Sequence, residues 1–119
     1  TRDAVREDLQ LVWPKVKPDG LILGHDFSNS QEARARGFGV VDGVQDFIRE
    51  TGAHLVAMTM ISEFFPSYVL AKSFHPRLRT FAEQFVLRSE ATVEIRSNSP
   101  DYQHKMVKID GKIIAYPSF

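Results

Sequence analysis

The 119 residues are 43% hydrophobic and 25% charged, the balance of an ordinary globular chain long enough for one modest domain. Fifteen Lys and Arg offset fifteen Asp and Glu, so no net field draws nucleic acid or an anionic membrane surface, and no apolar run approaches the roughly 20 residues that span a bilayer. The absence of cysteine excludes disulfides, thiolate zinc sites and a cysteine nucleophile, and the expectation is a cytoplasmic protein without nucleic-acid or membrane partners.

The chain opens Thr1-Arg2-Asp3 without Met and passes almost at once into a helix pattern, as a fragment or processed product does. Val5, Leu9, Val12, Trp13 and Val16 fall at helical spacing, with acids near the start, which predicts a helix from about Asp3 to Trp13 ended by Pro14. A turn over 15–20 leads into the apolar run Leu21-Ile22-Leu23-Gly24, which suits a strand covered on both faces, as in a parallel sheet. The polar stretch from Ser28 to Phe38 reads as a loop with at most a turn of helix. Val40, Val41, Val44, Phe47 and Ile48 mark a second helix closed by Gly52. His54 to Ile61 and Ser67 to Lys72 read as consecutive antiparallel strands, because their connection is too short for a crossover helix. Beyond Ser73, Pro76 opens a helix striped by Leu78, Phe81, Ala82, Phe85 and Val86. Val93 and Ile95 mark a strand, and Met106 to Tyr116 reads as a hairpin turning at Asp110-Gly111.

Four segments share a further pattern. Val5-Arg6-Glu7-Asp8-Leu9 is followed by Trp13-Pro14-Lys15-Val16-Lys17-Pro18-Asp19-Gly20 and the apolar strand, and that strand ends Gly24-His25-Asp26-Phe27. Gly39-Val40-Val41 leads to Phe47, and Pro66-Ser67-Tyr68 opens the last strand of the segment. Together these resemble the C-terminal half of class I S-adenosylmethionine-dependent methyltransferases, of the type called methyltransferase domain 24. The resemblance covers residues 3–72 and departs at Asp19, where the family has glycine, and at Arg2, where it has an aromatic residue. It implies an α/β chain in two parts: residues 1–73 as the C-terminal half of a Rossmann-like methyltransferase domain (helix, strand, helix, antiparallel strand pair), and 74–119 as an appended helix and β-hairpin tail. It also implies a parent enzyme that uses S-adenosylmethionine to methylate a small-molecule or sugar hydroxyl. The glycine-rich loop that holds this cofactor is not in the sequence, and Gly37-Phe38-Gly39 is too short to serve, so the chain by itself is not expected to bind it.

Asp26 is the leading candidate for chemistry, because ligands of open α/β sheets sit outside the carboxyl ends of the strands. The resemblance implies a catalytic role for Asp26 as a ligand to Mg²⁺ in the metal-dependent relatives, and His25 beside it is a candidate general base or ligand by the chemistry of imidazole. The plain alternative is that Asp26 caps the following loop and His25 packs with its nitrogens satisfied. Neighbours on a regular strand point to opposite faces, so only one of the two would then face a site. Asn29, Arg36 and Tyr68 are candidate substrate contacts: a hydrogen-bonding amide, a cation for an anionic group and an aromatic at the sheet end. A polar turn, a solvated arginine and a core aromatic are the respective alternatives. Two other functions compete with the methyltransferase, a non-catalytic binding or dimerisation module that forms a homo-oligomer, and a different reaction on the same fold.

Overall fold

A computed structural model of the chain describes residues 1–59, 65–95 and 102–118. Helix α1 (Arg2–Val12) starts where the Thr1 hydroxyl accepts the Ala4 N–H at 3.4 Å, and one 3₁₀ turn, Trp13–Lys15, follows it with Pro14 inside. Strand β1 is Leu21–Gly24, and the short α2 (Gln31–Ala35) lies within the polar stretch. Helix α3 (Val40–Thr51) buries Val40, Val41, Val44 and Phe47 along one stripe and ends at Gly52, whose φ of 71° is the left-handed conformation of a C-cap. Strands β2 (His54–Thr59) and β3 (Tyr68–Ala71) follow, then α4 (Pro76–Phe81), which runs on into a single π-helical turn over Ala82–Val86. Strand β4 (Thr92–Glu94) and the hairpin of β5 (Gln103–Ile109) and β6 (Lys112–Ser118) complete the order. Asp110 and Gly111 both have positive φ, the geometry that a two-residue hairpin turn demands. Among the described residues no helix is long and apolar enough to cross a membrane.

The first four strands form one sheet in the order β1-β3-β2-β4, and every pair in it is antiparallel. The parallel sheet expected from the apolar run of β1 is therefore corrected. An apolar run fixes neither direction nor cover: Leu23 is 71% exposed, so β1 is not covered on both faces, and β3 returns between β1 and β2, pairing Gly24 with Tyr68 on one side and Met58 with Tyr68 on the other. Strands β1 and β2 consequently point the same way without touching. Beyond residue 73, β4 pairs with β2, and Ile95 and Tyr102 join the core cluster with residues of the first part.

Helices α1 and α3 cover one face of the sheet. Arg2 pairs with Asp46, and Arg6 pairs with Glu50 at 2.9 Å, so the two helices run side by side in the same direction. They meet at Gly43, where a Cβ would fall 2.6 Å from the Arg2 carbonyl oxygen. The Arg2 hydrogen bond holds the Asp46 carboxyl below its usual range, against the opposing effect of burial. Beneath the helices lie Leu9, Val41, Val44, Phe47, Leu55, Met58 and Leu70, with Trp13 edge-on to Phe47 at 5.1 Å. The Lys72 ammonium closes the end of α1 by donating to the carbonyls of Trp13 (2.9 Å) and Val16 (3.1 Å) beneath the Trp13 ring.

Gly24 is the tightest point of the sheet, since the Tyr68 ring occupies the space that a side chain there would need. Gly24→Ala is expected to lower stability by roughly 1–3 kcal/mol, the usual cost of overpacking. Urea denaturation checks this, and a double-mutant cycle with Tyr68→Leu should show clearly less than additive loss, because the smaller partner relieves the clash.

Candidate functional site

The carboxyl end of β1 is where the backbone departs from regularity. Asp26 has a φ of 61°, and together with Asp110 of the hairpin turn it is one of two non-glycine residues with positive φ among those described. Aspartate tolerates this region better than most side chains, but the conformation still costs energy and persists only where surrounding contacts impose it. Those contacts converge on the next residue. The Phe27 N–H donates to the Pro66 carbonyl at 2.9 Å, its carbonyl accepts the Tyr102 hydroxyl at 3.1 Å, and the Ser28 N–H turns back to the Asp26 carbonyl at 2.8 Å. The Phe27 ring is fully buried between Tyr68 and Tyr102, with centroids 5.1 and 4.8 Å away.

The left-handed turn brings together two side chains that a regular strand would separate. His25 Nδ1 lies 2.8 Å from Asp26 Oδ1, and the two side chains remain 60% and 41% exposed. A carboxylate can only accept, so Nδ1 is the donor, and in the neutral form of the ring the lone pair lies on Nε2. A histidine held in one tautomer by an acidic neighbour, with its other nitrogen accessible, is the arrangement of a general base.

The three expected substrate contacts lie around this turn in different settings. Asn29 donates its amide to the Tyr102 carbonyl at 2.8 Å, and its own carbonyl accepts Arg34 Nε at 3.1 Å. Arg36 is exposed at the end of α2, its guanidinium 6.0 Å above the Phe65 ring, and Phe65 in turn stacks on Phe38 at 5.0 Å. Because Phe65 immediately precedes Pro66, this stack stands at the same end of the sheet as His25 and Asp26. Tyr68 is only 4% exposed and forms part of the wall behind them. Below the turn, Ser28 and Ser30 are buried, and the Ser30 hydroxyl caps α2 by accepting the Ala33 N–H at 3.2 Å. Sequence reasoning did not single out Tyr102, which nothing in its local pattern marks. The aromatic of Gly24-His25-Asp26-Phe27 was the available signal for Phe27.

The described residues contain no group of three or more His, Asp or Glu side chains able to hold a metal ion. Asp26 offers one carboxylate, already engaged by His25, so these residues do not themselves constitute a Mg²⁺ centre. A Cβ on Gly39 would meet the backbone of Arg2 at 2.6 Å. Helix packing alone accounts for that glycine. Comparison of the chain with protein-family models, with curated proteins and with solved structures finds no match in any of the three.

Burial, and secondarily the Asp8 carboxylate, pushes the Tyr68 hydroxyl from its ordinary 10.0 up to about 12, and burial raises Tyr102 as well. In the unfolded chain these phenols ionise near pH 10, whereas in the fold they stay neutral beyond it. The stability that Tyr68 contributes is full below pH 10 and is lost as pH rises through about 12. Urea denaturation at pH 9, 10, 11 and 12 should show a flat value followed by a fall, and Tyr68→Phe should make the fall shallower.

Proposed function

We propose that residues 1–119 form the acceptor side of a methyltransferase acting on a small-molecule or sugar hydroxyl, with the His25–Asp26 pair as the base that receives the hydroxyl proton. The observation that carries this reading is the 2.8 Å pair on a left-handed turn at the end of β1. It holds a proton acceptor in an exposed position at the end of β1. The sequence resemblance over residues 3–72 supplies the reaction class. Among the described residues β1 stands at one edge of the sheet, with Leu23 71% exposed.

In this reading S-adenosylmethionine supplies an electrophilic methyl group and is held by residues outside these 119. The contribution of this chain is local. His25 Nε2 accepts the proton as the acceptor oxygen becomes a nucleophile, while Asp26 fixes the tautomer and steadies the imidazolium that forms. Arg36, above Phe65, receives an anionic or polar group of the acceptor and so orients it. Mg²⁺, if used, would need most of its ligands from elsewhere, and no step is assigned to it.

The test uses the full-length protein that contains these residues. Calorimetry should detect S-adenosylmethionine binding, with and without Mg²⁺, and this binding should be unchanged in His25→Gln and Asp26→Asn. His25→Gln is expected to lower methyl transfer by about 100-fold or more, the usual scale of general base catalysis, and Asp26→Asn by less, since asparagine also tolerates the left-handed backbone. Absence of cofactor binding would refute the methyltransferase reading. Unchanged turnover in both variants would refute the role of the pair while leaving the reaction class standing.

A second reading, a non-catalytic dimerisation module, is favoured by one observation: the β5–β6 hairpin exposes Val107, Ile109 and Ile113. Sedimentation equilibrium separates the two, since this module requires a dimer that Ile109→Glu dissociates.

A further inference from the structure

The hairpin of β5 and β6 is held at its root by Tyr102. That residue is buried, its hydroxyl donates to the Phe27 carbonyl, and its own carbonyl accepts the Asn29 amide. Beyond the root the setting changes. From Gln103 to Ile113 every described side chain is exposed, and the register distributes them over both faces: Lys105, Val107, Ile109 and Lys112 share one, Lys108 and Ile113 the other. Val107, Ile109 and Ile113 are 37%, 52% and 53% exposed. Two paired strands become stable when one face packs on a helix or on further strands, so branched aliphatic side chains left open on both faces beside a turn require cover of another kind. Positive charge gathers at the same place. Lys105, Lys108 and Lys112 stand against Asp110 alone, and among the described residues none of the three ammoniums pairs with a carboxylate. The expectation of no membrane partner rested on the zero net charge of the whole chain, which averages this patch away.

We infer that the tip of this hairpin docks on an anionic lipid bilayer, with Ile109 and Ile113 entering the interface, Lys108 and Lys112 among the headgroups and Lys105 behind them. The combination of residue types carries the choice. Lysine lays its hydrocarbon stem along apolar surroundings and keeps its ammonium in the headgroup layer, so lysines beside isoleucines match both parts of such a surface at once. Because both faces carry the same mixture, the hairpin meets the surface tip first rather than lying flat. A protein partner selects differently, since interfaces are enriched in aromatic side chains, Met and Arg and depleted of Lys. A second copy of the hairpin brings like charges together, and lysine on an open strand edge works against that pairing. Nucleic acid attracts the lysines but leaves the isoleucines in water. Docking on a bilayer makes no use of the His25–Asp26 pair and stands whether or not that pair is a base.

The full-length protein that contains the hairpin should sediment with vesicles of four parts phosphatidylcholine to one part phosphatidylserine and not with phosphatidylcholine alone. Added salt should weaken the association, because the surface potential acts only within a Debye length. Lys108→Gln should weaken it by about 5-fold, the usual effect of one charge near such a surface, and Lys108→Gln with Lys112→Gln by more. Ile109→Ser with Ile113→Ser keeps the charge and should also weaken it, which separates insertion from adsorption. Ile109→Trp should shift its emission to the blue on the anionic vesicles. All these positions are exposed, and circular dichroism confirms that each variant is folded. Absence of binding to the anionic vesicles, equal binding to phosphatidylcholine alone, or unchanged binding by either the lysine or the isoleucine variants overturns the inference. So does an oligoribonucleotide that binds the hairpin more tightly than the vesicles do, or a dimer that Ile109→Glu dissociates in a protein that ignores vesicles.

Discussion

The arrangement at the end of β1 depends on the immobilisation of Phe27. Its ring is fully buried between two tyrosines, and its N–H and carbonyl are both engaged, one by the β2–β3 connection and the other by Tyr102. With that residue fixed, the chain leaving Gly24 has only two residues in which to reach it, and the left-handed backbone of Asp26 is how it does so. The cost of placing a non-glycine residue there, of order 1–3 kcal/mol, is offset by the burial of an aromatic ring and two satisfied hydrogen bonds. The meeting of His25 with Asp26 is thus a by-product of core packing one residue downstream.

The same packing explains why β1 must end in glycine. Strand β3 is the centre of the sheet, and Tyr68 at its start leans across Gly24 toward Phe27. A ring can lie there only if the paired residue has no side chain. The two aromatic contacts of Phe27 therefore constrain both the residue before the dyad and the dyad itself, while α1 and α3, locked by Gly43 and by the ion pairs of Arg2 and Arg6, hold the sheet from behind.

Much of this frame was legible in the sequence, and the reasons are physical. The stripes of α1 and α3 show because each helix buries one side only, and the hairpin shows because Asp110-Gly111 names its own turn. Helix α2 was read as at most a turn because five residues capped by Ser30 are too few to display a period. The direction and the cover of β1 were misread because an apolar run fixes neither, and Leu23 is 71% exposed. His25 and Asp26 were recognised as candidates, yet their contact was not foreseeable, since the alternation rule holds only for regular backbone and the irregularity is imposed by Pro66 and Tyr102.

Tyr102 lies 75 residues beyond Phe27 in sequence. A nascent chain emerging from the ribosome completes β1, α3, β2 and β3 while Phe27 still lacks one of its two ring partners and its carbonyl still lacks a donor. Closing so long a loop is slow relative to forming local helices and hairpins, and its entropy must be met before the contact rewards it. The dyad geometry is therefore set late in biosynthesis, and a ribosome stalled before residue 102 would carry a sheet without a formed site.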